Sequence, residues 1–213
     1  MNKTLETLGG VGVVPVIKIE DAGDASPLAK SLIAGGIPAA EVTFRTSCAA
    51  EAIEVMAREF PDMAVGAGTV LTVAQADEAI AAGAKFIVSP GFDAAVVRYC
   101  VSRGVPVLPG CVTPTEIIAA MNLGLDTVKF FPASDFGGVR TIKALSAPFG
   151  HMKFVPTGGV SEENLADYLS LSCVLFVGGS YIATGAMIKS HDWDAVTEKA
   201  KKSAEIVRSI RGK

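Results

Sequence analysis

Apolar residues in this chain fall in short continuous runs, separated by longer stretches in which they recur every three or four positions. The runs begin near Val11, Ala40, Ala64, Lys85, Val105, Thr127, Lys153 and Val174 and read as buried strands. The stretches between and after them read as helices over Asp24 to Ala34, Cys48 to Phe60, Thr72 to Ala82, Asp93 to Arg103, Thr113 to Leu123, Gly138 to Leu145, Ser161 to Leu169 and His191 to Arg211. Thr72, Asp93, Thr113 and Ser161 are capping types at the starts, the last followed by Glu162, Glu163 and Asn164, while Gly35, Gly83, Gly104 and Gly124 mark the ends. Gly83, Gly104 and Gly124 recur at near-equal spacing, each just before an apolar run, the trace of a repeated strand and helix module. Strict alternation predicts parallel strands joined by right-handed crossovers. The first strand leads into Lys18-Ile19-Glu20-Asp21 and carries no Gly-x-Gly-x-x-Gly turn of the kind that marks open dinucleotide-binding sheets. The expected fold is therefore α/β, a (β/α)8 TIM barrel of parallel strands formed as one domain over residues 1–213.

Composition narrows the partners. Lys and Arg number 19 against 22 Asp and Glu, a net charge of −3, and no run of basic residues appears, so neither nucleic acid nor an anionic membrane is an expected partner. A small diffusible substrate fits better. Half the residues are hydrophobic, yet the longest apolar stretches, such as Val11 to Ile17 and Val174 to Val177, are far too short to cross a bilayer. Met1 to Gly10 has no basic segment followed by an apolar core and a small-residue cleavage site, so a cytoplasmic location is expected. Cys48, Cys100, Cys111 and Cys173 form no Cys-x-x-Cys pair, and His151 and His191 fall in segments leading into elements rather than at strand ends, so no metal cluster is expected.

The ends of the strands carry the candidate chemistry, because the C-terminal face of such a barrel holds the active site. Lys129 sits in Thr127-Val128-Lys129-Phe130-Phe131-Pro132, where alternation aims Lys129 and Phe131 into the barrel. A lysine in apolar surroundings loses its proton more readily than one in water and becomes a nucleophile for carbonyl carbon. An edge-strand lysine that discourages aggregation is the competing explanation, and a closed barrel has no edge. In Glu41-Val42-Thr43-Phe44-Arg45 the same alternation turns Glu41, Thr43 and Arg45 inward, so Glu41 and Arg45 are expected to pair with each other or to face a ligand. Thr157-Gly158-Gly159 and Gly178-Gly179-Ser180 end consecutive strands, the seventh and eighth, where bare backbone amides can approach a phosphate. Thr69 and Pro90 close the third and fourth strands and are positioned to line the site. Cys111 has no histidine placed to activate it and reads as structural.

Taken in order, Glu41-Val42-Thr43-Phe44-Arg45-Thr46, Gly66-Ala67-Gly68-Thr69-Val70, Ser89-Pro90-Gly91, Pro109-Gly110, Val128-Lys129-Phe130-Phe131-Pro132-Ala133, Pro156-Thr157-Gly158-Gly159 and Gly178-Gly179-Ser180 resemble the 2-keto-3-deoxy-6-phosphogluconate (KDPG) aldolase family, also called the 4-hydroxy-2-oxoglutarate (KHG) aldolase family, over nearly the whole chain. The resemblance implies a homotrimeric, metal-independent class I aldolase of the Entner–Doudoroff pathway, with no organic cofactor. It would cleave the phosphorylated keto acid to pyruvate and glyceraldehyde 3-phosphate, and 4-hydroxy-2-oxoglutarate to pyruvate and glyoxylate. It makes Lys129 the Schiff-base lysine and Glu41 the acid/base. It places Arg45 and Thr69 on the pyruvate carboxylate, Pro90 and Phe131 as apolar walls, Thr157 near the distal hydroxyls, and Gly158, Gly159, Gly179 and Ser180 at the phosphate. Three alternatives stand beside it: an aldolase for the galactonate-derived epimer, another phosphosugar barrel such as a pentose-phosphate epimerase or thiamine-phosphate synthase, and a non-catalytic protein that binds phosphorylated sugar acids. A metal-dependent epimerase would need histidines and aspartates at strand ends, and a binding protein has no use for a buried Lys129 beside Glu41.

Overall fold

The computed structural model describes residues 2–212. Its strands are β1 (Val13–Ile17), β2 (Ala39–Thr43), β3 (Ala64–Gly68), β4 (Ile87–Val88), β5 (Val107–Leu108), β6 (Thr127–Phe130), β7 (Lys153–Pro156) and β8 (Val177–Gly179). All strand pairs are parallel. A six-strand run in the order β5-β4-β3-β2-β1-β8 is joined to the β6-β7 pair by isolated bridges, Gly110 to Lys129 on one side and Phe154 to Val174 and Thr157 to Gly178 on the other. The ring is thereby closed, and the bridges Gly110 to Lys129 and Thr157 to Gly178 lie next to the residues of interest.

The helices are α1 (Lys3–Val11), α2 (Ala25–Ala34), α3 (Ala49–Glu59), α4 (Val73–Ala81), α5 (Ala94–Ser102), α6 (Pro114–Asn122), α7 (Gly138–Ser146), α8 (Leu165–Leu169), α9 (Gly185–Lys189) and α10 (Trp193–Arg211). Thr72, Asp93 and Thr113 cap α4, α5 and α6 by accepting backbone N–H groups, Thr113 in a reciprocal capping box with Glu116. Gly83, Gly104 and Gly124 all take positive φ just past their helices. At the end of α2 the left-handed residue is Gly36, at φ 84°, rather than Gly35. Gly35 has a different reason to lack a side chain: a Cβ there would sit 2.4 Å from Ala200 Cβ, where α10 crosses α2.

Four departures from the sequence reading have physical causes. The apolar run at Val11 opens as the last residue of α1, and β1 begins at Val13. Asn2 caps α1 and Leu5 and Leu8 bury its inner face, but Gly9 and Gly10 weaken the helical signal by about 1 kcal/mol each. Val105 donates its N–H to Cys100 O and so completes the turn after α5, leaving β5 to start at Val107. The segment from Ser161 forms a turn first: Asn164 Oδ1 accepts the Ser161 N–H at 2.9 Å, and α8 begins only at Leu165. The final helix starts at Trp193, capped by Asp192, after the separate short helix α9.

The core fills both the barrel and the layer between strands and helices, with Phe86, Phe130, Phe154 and Phe176 among its largest fully buried side chains. At the N-terminal end a cleft of about 490 Å³ is lined by Gly9, Lys153, Val174 and Arg211 among others. There Arg211 donates to the carbonyls of Gly9, Val174 and Leu175 and ties the end of α10 to the bottom of the barrel. Among the described residues no helix is long and apolar enough to cross a membrane.

Candidate active site

Lys129, third residue of β6, projects into the barrel with 5% of its surface exposed. Glu41, third residue of β2, meets it from the opposite wall, 4% exposed. Their Nζ and Oε1 atoms are 3.4 Å apart. A charge pair buried this deeply carries a large desolvation cost, so its presence points to use rather than to stability. Lys129 Nζ also lies 5.1 Å from the centre of the Phe131 ring, which walls one side.

Glu41 can lie there because β3 offers no side chain. A Cβ on Gly68 would stand 2.2 Å from Glu41 Oε1, and one on Gly66 would stand 2.5 Å from the Phe86 ring. The Gly66-Ala67-Gly68 run is thus explained by packing inside the barrel. Thr69 follows at φ 57°, a left-handed conformation for a non-glycine residue, with a cost of about 1–3 kcal/mol that is commonly met at functional positions. On the other side Gly110, bridged to Lys129, lies so close to Pro90 that a Cβ would come within 2.0 Å of the Pro90 carbonyl.

Of the two arrangements expected for Glu41 and Arg45, the mutual pair does not form; Glu41 pairs with Lys129 instead. β2 ends at Thr43, the Arg45 N–H turns back to Thr43 O at 2.8 Å, and the side chain emerges exposed at the rim. Thr43 Oγ1 holds it there, donating to Ile17 O at 2.9 Å and accepting from Arg45 Nε at 3.1 Å. Among the described residues no carboxylate lies within ion-pair distance of Arg45, which leaves its exposed guanidinium available to an anion.

β7 and β8 supply the other half of the mouth. Thr157 is buried, and its Oγ1 has no hydrogen-bond partner among the described residues; an orphaned buried hydroxyl of this kind points to a ligand group or water. It sits against Gly178, where a Cβ would approach Oγ1 to 2.4 Å. Gly158, at φ 92°, packs against Phe131 and Pro132, and Gly159 follows at φ 70°. The bridge from Thr157 to Gly178 sets this loop beside Gly179, the buried end of β8, and Ser180, exposed just beyond it. Sequence order therefore brings together Glu41, Lys129, Phe131 and Gly158 through direct neighbours, with Thr157 and Gly178 alongside. Thr43, the anchor of Arg45, is visible in the alternation of β2 but has no signal of its own in the sequence.

The remaining reactive groups are accounted for elsewhere. Burial, with a smaller contribution from the Glu116 charge, pushes the Cys111 thiol up to about 12, which removes it as a nucleophile at neutral pH. Burial likewise pushes Cys100 up to about 11. His191 Nε2 lies 3.1 Å from Asp24 Oδ1 and its ring stacks on Trp193, and His151 is exposed in the turn before β7.

A closed parallel barrel with a buried lysine and carboxylate at its C-terminal mouth defines an enzyme of the lysine-dependent type. Comparison with known proteins agrees. The family described as KDPG and KHG aldolase matches residues 5–199, and the chain belongs to that family. It is 48% identical over 202 residues to a 2-dehydro-3-deoxy-phosphogluconate aldolase of Treponema pallidum, a match covering 95% of this chain and 96% of that protein. It is 42% identical over 193 residues to the KHG/KDPG aldolase of Escherichia coli K12, covering 91% of each. Among solved structures, a KDPG aldolase from Legionella pneumophila, with pyruvate captured as a covalent carbinolamine, superposes with a TM-score of 0.90 at 40% identity, covering 94% of this chain and 97% of that one.

Proposed function

We propose that this protein is a class I aldolase that cleaves 2-dehydro-3-deoxy-6-phosphogluconate to pyruvate and glyceraldehyde 3-phosphate, and 4-hydroxy-2-oxoglutarate to pyruvate and glyoxylate. The observation that carries the reading is the buried pair of Lys129 and Glu41, 3.4 Å apart at the mouth of the barrel. Glu41 takes the ammonium proton, and the free amine of Lys129 adds to C2 of the keto acid. Loss of water from that adduct, with Glu41 returning the proton, gives the iminium. The iminium withdraws the electron pair of the C3–C4 bond as the C4 hydroxyl gives up its proton to Glu41, so the aldehyde leaves and an enamine remains. Glu41 returns that proton to C3, and water releases pyruvate and restores the lysine.

The other residues take binding roles in this reading. Arg45, held by Thr43, and Thr69 engage the pyruvate carboxylate, Pro90 and Phe131 enclose the reacting carbons, and the unpaired Thr157 hydroxyl meets the distal hydroxyls. Gly158, Gly159, Gly179 and Ser180 receive the phosphate. The galactonate-derived epimer is the second reading, differing only at C4; the gluconate-series names of the relatives at 42–48% identity favour the first. Assembly is read as a homotrimer, for which light scattering should give three times the chain mass.

An assay of pyruvate release from three substrates tests the function. The gluconate-derived phosphorylated acid should be cleaved with the highest kcat/KM, 4-hydroxy-2-oxoglutarate more slowly, and the galactonate-derived epimer least. Preference for the epimer would reassign the substrate. No pyruvate from any of the three would leave a binding protein.

A further inference from the structure

The carbonyl oxygen of Gly159 accepts two hydrogen bonds from outside its own loop strand, from Ser134 Oγ at 3.0 Å and from Asn164 Nδ2 at 2.9 Å. The other end of the Asn164 amide accepts the Ser161 N–H at 2.9 Å, which fixes the orientation of the side chain. Ser134 belongs to the loop after β6, and that loop also grips the preceding residues: Ala133 N–H donates to Thr157 O at 2.8 Å and Ser134 N–H to Gly158 O at 3.1 Å. Three successive carbonyls of the Thr157-Gly158-Gly159 loop are thus turned toward the segment that follows Lys129.

A trans peptide points its N–H opposite to its C=O. With the Gly159 carbonyl held by Ser134 and Asn164, the Val160 N–H is turned the other way. Neither Gly159 nor Val160 donates its N–H to a backbone or side-chain acceptor among the described residues. A glycine at φ 70° has wide conformational freedom, so an unclamped peptide here could flip and present a carbonyl lone pair where an amide is needed. A carbonyl repels a phosphate, whereas an amide donates to it.

We propose that Ser134 and Asn164 are positioning residues that lock the Gly159–Val160 peptide with its N–H, not its C=O, toward the substrate phosphate. The inference rests on the phosphate assignment made above and adds that phosphate affinity is set from the loop that follows the Schiff-base strand. Neither residue touches the reacting carbons.

The test compares the wild-type enzyme with Ser134→Ala and Ser134→Thr, using inorganic phosphate as a competitive inhibitor and both substrates. Ser134 is exposed, so the alanine variant should fold with an unchanged melting temperature. Loss of one such hydrogen bond should raise the inhibition constant for inorganic phosphate, and KM for the phosphorylated acid, roughly 3- to 10-fold. The kinetics of 4-hydroxy-2-oxoglutarate should stay within about twofold, and Ser134→Thr, which keeps the hydroxyl, should recover phosphate affinity. If phosphate inhibits Ser134→Ala as well as wild type, or both substrates suffer equally, the clamp is wrong while the phosphate site stands. If inorganic phosphate fails to compete even with the wild type, the phosphate assignment fails and takes the clamp with it. Should Ser134→Ala not fold, Asn164→Ala removes the donor to Gly159 without adding a charge, and its phosphate inhibition is read in the same way.

Discussion

In the proposed mechanism Glu41 and Lys129 divide the chemistry between them, the amine forming the imine and the carboxylate moving protons. Glu41→Gln keeps the shape of the side chain and a hydrogen-bonding partner for Lys129 but cannot carry a proton. Because positioned acid/base groups contribute roughly 10²–10⁴ in rate, this variant should exchange the methyl protons of pyruvate with solvent deuterium at least about a hundredfold more slowly, followed by NMR. Exchange at the wild-type rate by a well-folded Glu41→Gln enzyme would move the proton carrier elsewhere. Both residues were legible in the sequence because a two-residue period in a closed barrel leaves no outward place for them. Arg45 was legible as a polar residue but not in its surroundings. The same period carried it inward, whereas the strand stops at Thr43 and the turn from Arg45 N–H to Thr43 O lifts it to the rim. A strand's end depends on its neighbours' hydrogen bonds, which the local pattern does not contain.

Among the elements, β3 and the segment after β5 make room for the site in different ways, and the difference is measurable. At Gly68 a Cβ would meet the carboxyl end of Glu41, a side chain that can swing aside. At Gly110 it would meet the backbone of Pro90 and Gly91, which cannot. Gly68→Ala should therefore fold with nearly wild-type stability yet lose activity by a factor comparable to that of Glu41→Gln, because the carboxylate is displaced from Lys129. Gly110→Ala should lower unfolding stability by about 1–3 kcal/mol or more, through overpacking against the Pro90-Gly91 segment that follows β4. Chemical denaturation beside an aldolase assay separates the two. If Gly68→Ala retained full activity, Glu41 would have room that the structure does not show. Elements with strong caps, such as α4, α5 and α6, could be read directly from Thr72, Asp93 and Thr113. The helix α1 could not, because Gly9 and Gly10 hide the Leu5 and Leu8 face. The start of α8 was misplaced because Asn164 folds back on Ser161 in a turn that resembles a helix cap in sequence.

At the scale of the molecule, eight alternating units and the absence of a dinucleotide-type turn were enough to anticipate a closed barrel, since the pattern repeats too regularly to permit many other parallel arrangements. The seams were not legible. Isolated bridges at Gly110 to Lys129, Phe154 to Val174 and Thr157 to Gly178 close the ring, and pairing this sparse leaves no pattern in the local sequence. β6 and β7 put Lys129 and the Thr157-Gly158-Gly159 loop side by side, so the proposed imine-forming lysine and the proposed phosphate loop share one wall of the barrel. The covalent link proposed between pyruvate and Lys129 lies on that wall. Incubation of the wild-type enzyme with pyruvate and sodium borohydride, followed by intact-mass analysis and peptide mapping, should show a single reduced adduct on Lys129, absent from Lys129→Ala. An adduct on another lysine, or none under conditions in which the enzyme turns over, would contradict it.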